Sequence, residues 1–214
     1  MNNTISIQKR KERAYINRKN QRLKRKLSKS LGIPKTYSEI FTLEHLILAY
    51  NLNFRGTNWK KSTQEFKLHF MIEINKILKA LNLKAFNFKP PVSFTIIEKG
   101  VERMIKSMRI DERLVLRTLC DQSLLPTLSN TFIHDNGAAQ FSKGATFAFD
   151  RIKQHLRAYI YKHGTDGYVL QIDFRKFFDT LSHDAINRIL REHYADEDVI
   201  TLINKVLAIF DPNK

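Results

Sequence analysis

The sequence predicts an α+β protein that is mostly helical and contains one β-hairpin. Apolar residues recur at helical spacing after residue 36, and one such stripe comprises Phe66, Phe70, Ile74, Ile77, Leu78 and Leu81. Two short β-prone runs flank Lys99-Gly100, where Gly100 can supply the positive φ of a tight turn. A third β-prone run, residues 168–172, predicts a single strand buried on both faces.

Proline, glycine and helix-capping residues indicate where the remaining elements begin and end. Pro90-Pro91 ends the first helical region, which includes "TLEHLILAYNL" and the stripe above. After the hairpin, "IDERLVLRTLCDQSLLPTL" predicts a helix broken near Pro126. The polar loop "HDNGAAQFSKG" leads to a helix that Gly164 ends, with Phe149, Ile152, Leu156, Tyr159 and Ile160 on one side. Beyond the strand, Ser182 caps a helix, and a last helix spans about 196–209.

Composition restricts the class of partner. The chain has 214 residues, a formal net charge of +16 and a pI near 10.0, which favours nucleic acid or an anionic membrane surface. No apolar run reaches the roughly 18 to 20 residues of a membrane span, so no membrane partner is expected. The single cysteine, Cys120, excludes an internal disulfide and a multi-cysteine zinc site, and a cytoplasmic location is predicted.

Much of the charge lies in a basic arm, residues 1–35. Residues 1–30 hold eleven Lys or Arg against one acid, Glu12, and so contribute +10 of the +16. This pattern predicts a helical, solvated arm that contacts phosphates without reading sequence. The candidate nucleic-acid contacts are Arg22, Lys24, Arg25 and Lys26. The alternatives are a solvated tail without a specific role and a membrane-surface helix, for which Leu23 and Leu27 make a thin apolar face.

Asp173 follows the predicted buried strand. A carboxylate in that position is costly unless a cation lies on it, and Mg²⁺ takes such hard oxygen ligands. Alternatively, Asp173 caps the turn after the strand or pairs with a nearby basic side chain. The motif continues to Phe177 and Phe178, and Phe178 is placed to line a ligand cavity beside Asp173.

These segments resemble reverse transcriptases of the bacterial retron, group II intron and prophage type. "YVLQIDFRKFFDTLSH" resembles their first catalytic motif, and "FTIIEKGVERMI" with "DERLVLRTLCDQSLLP" resembles their fingers hairpin and following helix. "FIHDNGAAQFSKGATFAFDRIKQHLRAYIYKHG" resembles their second conserved block. The resemblance covers roughly residues 60–210 and implies a right-hand polymerase with an incomplete palm sheet. The implied domains are the arm 1–35, a helical extension 36–90, fingers 91–166 and the start of the palm 167–214.

The resemblance also implies roles for individual residues. Asp173 would be the first catalytic aspartate, which with the carbonyl of Phe174 holds Mg²⁺ in a two-metal site. Phe178 would exclude ribonucleotides by contact with the incoming sugar. Lys99 and Arg103 would hold the triphosphate, although on sequence alone they are also ordinary exposed cations of a hairpin. The implied partners are an RNA template, a DNA or RNA primer and deoxynucleoside triphosphates. No obligatory protein partner is inferred.

Two departures limit the resemblance. Gln140 stands where the second block usually carries an arginine, while Lys143-Gly144 keeps a cation nearby, so Lys143 is the candidate nucleic-acid contact of that loop. The later Tyr–x–Asp–Asp motif is absent. The sequence "YADED" does not replace it, because it follows Asp173 after one helix and Asp196 is placed to cap the next. We therefore expect a fragment that lacks the other carboxylate ligands and is inactive alone. The alternative is a non-catalytic RNA-binding protein.

Overall fold

A computed structural model of the chain describes residues 36–210, apart from Arg55, Ala139, Phe141 and Lys176, and without the side chains of Asn130, Phe178 and Asp179. The basic arm and its candidate contacts Arg22, Lys24, Arg25 and Lys26 lie outside these residues. The described chain divides into a first unit, residues 36–124 and 172–210, and a second unit, residues 125–171. The predicted domain boundaries stay a prediction.

The described elements, in chain order, are α1 Tyr37–Ile40, α2 Leu43–Asn53, α3 Lys61–Leu68, α4 Phe70–Asn82, β1 Val92–Glu98, β2 Val101–Ser107, α5 Ile110–Leu119, a π-helical turn Cys120–Leu124, α6 Leu125–Leu128, a 3₁₀ turn Ser129–Thr131, α7 Ala145–His163, α8 Phe177–Thr180, α9 His183–His193 and α10 Glu197–Ile209. This mixture of helices with one antiparallel hairpin agrees with the predicted α+β class.

The first unit contains a core assembled from distant parts of the sequence. Its most completely buried apolar side chains are Ile40, Leu46, Ile74, Leu81, Leu114, Val115, Leu119, Val199 and Ile200. The predicted stripe contributes to this core, since Ile74, Ile77 and Leu81 are buried. The stripe is not continuous, however, because α3 ends at Leu68 and α4 begins at Phe70.

Polar contacts fasten the C-terminal helices of this unit to its N-terminal part. The Tyr37 amide donates to Asp196 over 2.7 Å, and Lys205 Nζ donates to the carbonyl of Phe86 over 3.0 Å. In the interior, Ser123 Oγ donates to the Tyr194 hydroxyl over 2.9 Å. The Asp196 carboxylate also accepts from the Asp198 amide at the start of α10, so the predicted capping role of Asp196 is confirmed. Residues near both ends of the described chain therefore share one core.

The hairpin forms with the predicted turn. β1 pairs with β2 in antiparallel register from Val92↔Ser107 to Glu98↔Val101, which leaves a two-residue turn. Lys99 has φ 52° and Gly100 has φ 79°, as a type I′ turn requires of both central residues. Lys99 occupies the left-handed region despite its side chain, whereas Gly100 does so without a steric penalty.

The second unit is built on α7, whose C-terminus was predicted correctly. Gly164, with φ 76°, lies at the C-cap and donates its amide to the carbonyl of Ile160. The chain then turns back along the helix, and the Tyr159 hydroxyl donates to the carbonyl of Asp166 over 3.0 Å. A Cβ at Gly167 would lie 2.8 Å from the Tyr159 ring, so a side chain there would displace the ring.

The predicted strand at residues 168–172 is wrong. These residues have no regular secondary structure, and Leu170 is 83% exposed. A strand buried on both faces needs neighbouring strands and covering layers. Within the part of the chain that the structure describes, β1 and β2 pair only with each other. Residues 168–172 are β-prone, but a local sequence pattern does not show whether other strands are present to pair with them.

Candidate functional site

Asp173 lies in an irregular, exposed segment rather than at the end of a buried strand. Its carboxylate makes no hydrogen bond or ion pair with the part of the chain that the structure describes. An exposed carboxylate keeps its hydration, so Asp173 does not need a cation to offset burial. Turn capping by Asp173 gains no support either. What remains is an acceptor group that a ligand can reach.

The aromatic residues after Asp173 are also largely exposed. The rings of Phe174 and Phe177 lie with their centroids 6.0 Å apart and tilted by 47°. α8 begins at Phe177, one turn beyond Asp173. The backbone of Phe178 belongs to this helix, but its side chain lies outside the described residues, so its predicted contact with a sugar stays a prediction.

The described residues do not make a complete two-metal site. Asp173 and the carbonyl of Phe174 offer one carboxylate and one main-chain oxygen, whereas Mg²⁺ pairs in such sites are bridged and flanked by several oxygen ligands. No group of three or more His, Cys, Asp or Glu residues in the described ranges is arranged to hold a metal ion. The prediction that Asp173 and Phe174 hold Mg²⁺ stays a prediction.

Lys99 and Arg103 lie together at the free end of the hairpin. Lys99 occupies the turn, and Arg103, on β2, pairs across the ladder with Ile96 of β1. The guanidinium Nη1 of Arg103 lies 3.1 Å from the Glu98 carboxylate, and both side chains are more than half exposed. This ion pair, which the sequence analysis missed, orients the Arg103 fork but adds little stability in water. Neither cation pairs with Asp173.

Lys143 is engaged within the protein. Its Nζ donates to the carbonyl of His134 over 2.6 Å and lies 5.1 Å from the centroid of the Phe147 ring. The Lys143 side chain thus holds the loop against the start of α7, in addition to contributing a positive charge. Nearby, Gln140 Nε2 is buried and has no hydrogen-bond partner among the described residues. This is the position where an arginine was expected.

An ion cluster around Asp135 was not predicted. Its carboxylate accepts from Arg151 Nε over 2.5 Å, from His155 Nε2 over 2.5 Å and from His134 Nδ1 over 3.0 Å. These hydrogen bonds, above all the one from Arg151, hold the pKa of the Asp135 carboxyl well below its usual range. Arg151 and His155 lie 16 and 20 positions from Asp135 in sequence, so only the fold of the loop onto α7 brings them to it.

The sequence was compared with protein-family models and with curated proteins. No protein-family model matches the chain, and no curated protein matches its sequence. In the described residues, no helix combines the length and the apolar character needed to cross a membrane.

Proposed function

We propose that this chain forms the fingers and the first part of the palm of an RNA-directed DNA polymerase. The parent activity extends a DNA or RNA primer with deoxynucleotides on an RNA template. The observation that carries the proposal is the motif "YVLQIDFRKFFDTLSH", preceded in order by the hairpin, its following helix and the second conserved block. The tight hairpin and the immediate start of α5 at Ile110 support that order.

The exposed cations of the hairpin suit a triphosphate. Lys99 presents a point charge at the turn, and Arg103 presents a planar fork that can take two phosphate oxygens. Glu98 pairs with that fork, and a phosphate would replace this exposed carboxylate at small cost. The accessible carboxylate of Asp173 is the second supporting feature, because carboxylates would hold the metal ions that phosphoryl transfer uses.

The deciding experiment is primer extension on an RNA template by the protein made from its complete natural reading frame. We expect Asp173→Asn to abolish synthesis, and to change the free energy of unfolding by no more than about 0.5 kcal/mol, because the side chain is exposed. Asp166→Asn is the matched control, since it removes another exposed carboxylate seven residues earlier. Extension that survives in the folded Asp173→Asn protein would overturn the proposal.

A second candidate function is RNA binding without catalysis, which the net charge of +16 favours. Under this alternative the wild-type protein binds RNA and extends no primer, and Asp173→Asn leaves its affinity unchanged. RNA affinity and primer extension, measured on the same wild-type preparation, distinguish the two functions.

A further inference from the structure

A cavity of about 470 Å³ lies in the first unit between α3, α4 and the start of α5. This volume falls within the roughly 300–1,000 Å³ typical of ligand sites. Its lining includes Lys60 at the start of α3, His69 between the helices, and Arg109 and Arg113 at the start of α5. None of these four residues was assigned a role in catalysis or nucleotide binding above, although Arg113 belongs to the helix that follows the hairpin.

The charge balance of the cavity is positive. Glu65 and Glu73 also line it, but Lys61 lies 3.8 Å from Glu65, and Lys76 lies 2.8 Å from Glu73. Both carboxylates therefore have lysine partners of their own, and the lining also contains the three permanent cations Lys60, Arg109 and Arg113. The N-terminus of helix α3 carries a partial positive charge, and the first turn of this helix contains no acidic residue to offset it.

One of these cations is held in place by the core. The guanidinium carbon of Arg113 lies 5.2 Å from the centroid of the Phe54 ring, and Phe54 is itself buried. Stacking on an aromatic ring restricts the planar fork without using its N–H donors. Arg113 is therefore oriented before any ligand arrives, which reduces the entropy lost on binding.

An exposed tryptophan is next in sequence to a lysine of the cavity lining. Trp59 precedes Lys60, is 75% exposed, and has Lys60 Nζ 5.4 Å from the centroid of its ring. Its indole N–H donates to the carbonyl of Gly56 over 3.2 Å, so the edge of the ring is fixed while much of its surface is open to solvent. An open aromatic surface beside phosphate-binding cations is the arrangement that single-stranded nucleic acids use.

We propose that this cavity binds a single strand of nucleic acid, with backbone phosphates at Lys60, Arg109 and Arg113 and a base stacked on Trp59. The proposal goes beyond the polymerase function, since a strand can bind here whether or not the chain synthesises DNA. RNA and DNA share the required phosphates and bases, so the test carries an arm for each.

Trp59 makes the test specific, because it is the only tryptophan of the 214 residues. The whole chain is titrated at low salt with oligouridylate, oligothymidylate and an abasic sugar–phosphate strand, each of about 12 nucleotides. We expect tryptophan quenching with at least one of the two base-containing strands, and the stronger arm identifies RNA or DNA. The abasic strand should bind through its phosphates without comparable quenching. A polyglutamate peptide of equal charge serves as the probe for an acidic protein partner.

Variants separate the cavity from the rest of the basic surface. Arg109→Gln and Lys60→Gln should each weaken binding of a labelled strand by roughly tenfold, followed by fluorescence anisotropy. Lys79→Gln, which removes an exposed lysine on α4 outside the cavity lining, should leave the affinity within about twofold of wild type because it removes only a distant, screened charge. Trp59→Ala should weaken the base-containing strands more than the abasic strand. Melting curves identify any variant that fails to fold, and two independent cation variants keep the test decisive.

Three results would overturn the proposal. Saturating binding of both base-containing strands without tryptophan quenching would place the strand elsewhere. If the abasic strand quenched tryptophan as much as the base-containing strands, no base would be stacked on Trp59. If polyglutamate quenched as much, the cavity would be a site for acidic peptides. None of these results depends on primer extension, so failure of this proposal and failure of the polymerase proposal are distinguishable.

Discussion

Helix α10 of the first unit and helix α7 of the second unit both carry apolar residues at helical spacing, but only α10 buries them. Val199, Ile200, Leu202 and Ile203 of α10 are buried, whereas α7 has no buried residue along its 19 positions. Ile152 on α7 is 56% exposed, and Ile200 on α10 is 1% exposed. The periodicity of a sequence therefore determines that a helix forms and which side is apolar, while burial depends on what other elements supply.

The largest expected difference compares the same substitution in these two helices. Ile200→Ala should lower the free energy of unfolding by about 2–5 kcal/mol, because it leaves a cavity in a packed core. Ile152→Ala should change it by no more than about 0.5 kcal/mol, because the side chain is already in water. Urea denaturation of both variants measures the contrast. A comparable loss for Ile152→Ala would mean that the α7 face is covered in solution.

A smaller effect is expected at the polar anchor of the first unit. Glu112 is 1% exposed, and its carboxylate accepts from the amides of Lys89 and Arg109 over 2.5 and 2.9 Å. Glu112→Gln should cost about 1–3 kcal/mol of unfolding free energy, since an amide cannot accept from both donors equally well. Glu102→Gln, at an exposed position of β2, is the control and should be nearly neutral. Equal values for the two variants would contradict a buried anchor at Glu112.

The smallest effect is expected at the anchor of the second unit. The pKa of Asp135 is lowered from 3.8, so its ionised form favours the folded loop above about pH 4, and this contribution is lost only as the pH falls towards the lower folded value. Asp135→Asn should raise hydrogen exchange at Asn136 and Ala138 severalfold near neutral pH, and the difference from wild type should shrink in strong acid. Asp150→Asn, at an exposed position of α7, should change neither amide. An Asp135→Asn protein with unchanged exchange near neutral pH would show that the cluster does not hold the loop.

The features that the sequence predicted correctly are those with local causes. Gly100 permits its turn, Gly164 ends α7, and the side chains of Ser182 and Asp196 accept amides two or three residues further on. The strand at residues 168–172 was predicted wrongly because strand formation requires partners that local sequence does not reveal. The break at His69 was missed because the apolar stripe continues across it.

The candidate site divides in the same way. Asp173, Lys99 and Arg103 could be proposed from the sequence because the residues of a motif follow one another along the chain. The Asp135 cluster and the cavity that Lys60 lines join residues from separate segments. Trp59 and the neighbouring lysines were visible in the sequence as an aromatic residue next to positive charge. Arg109 and Arg113 belong with them only through the packing of α5 near α3 and α4.

The contact between Lys205 and Phe86 has a consequence for synthesis of the protein. Its two residues are 119 positions apart, and the Tyr37–Asp196 contact spans 159. At about 5–20 residues per second, a ribosome needs roughly 6–24 s to advance from residue 86 to residue 205. During that interval the apolar side chains of α2 and α4 have been made, whereas α10, which contributes to the same core, is incomplete. The nascent chain therefore exposes apolar surface of an incomplete core. Chaperones can bind this surface, and a pause in translation would expose it for longer.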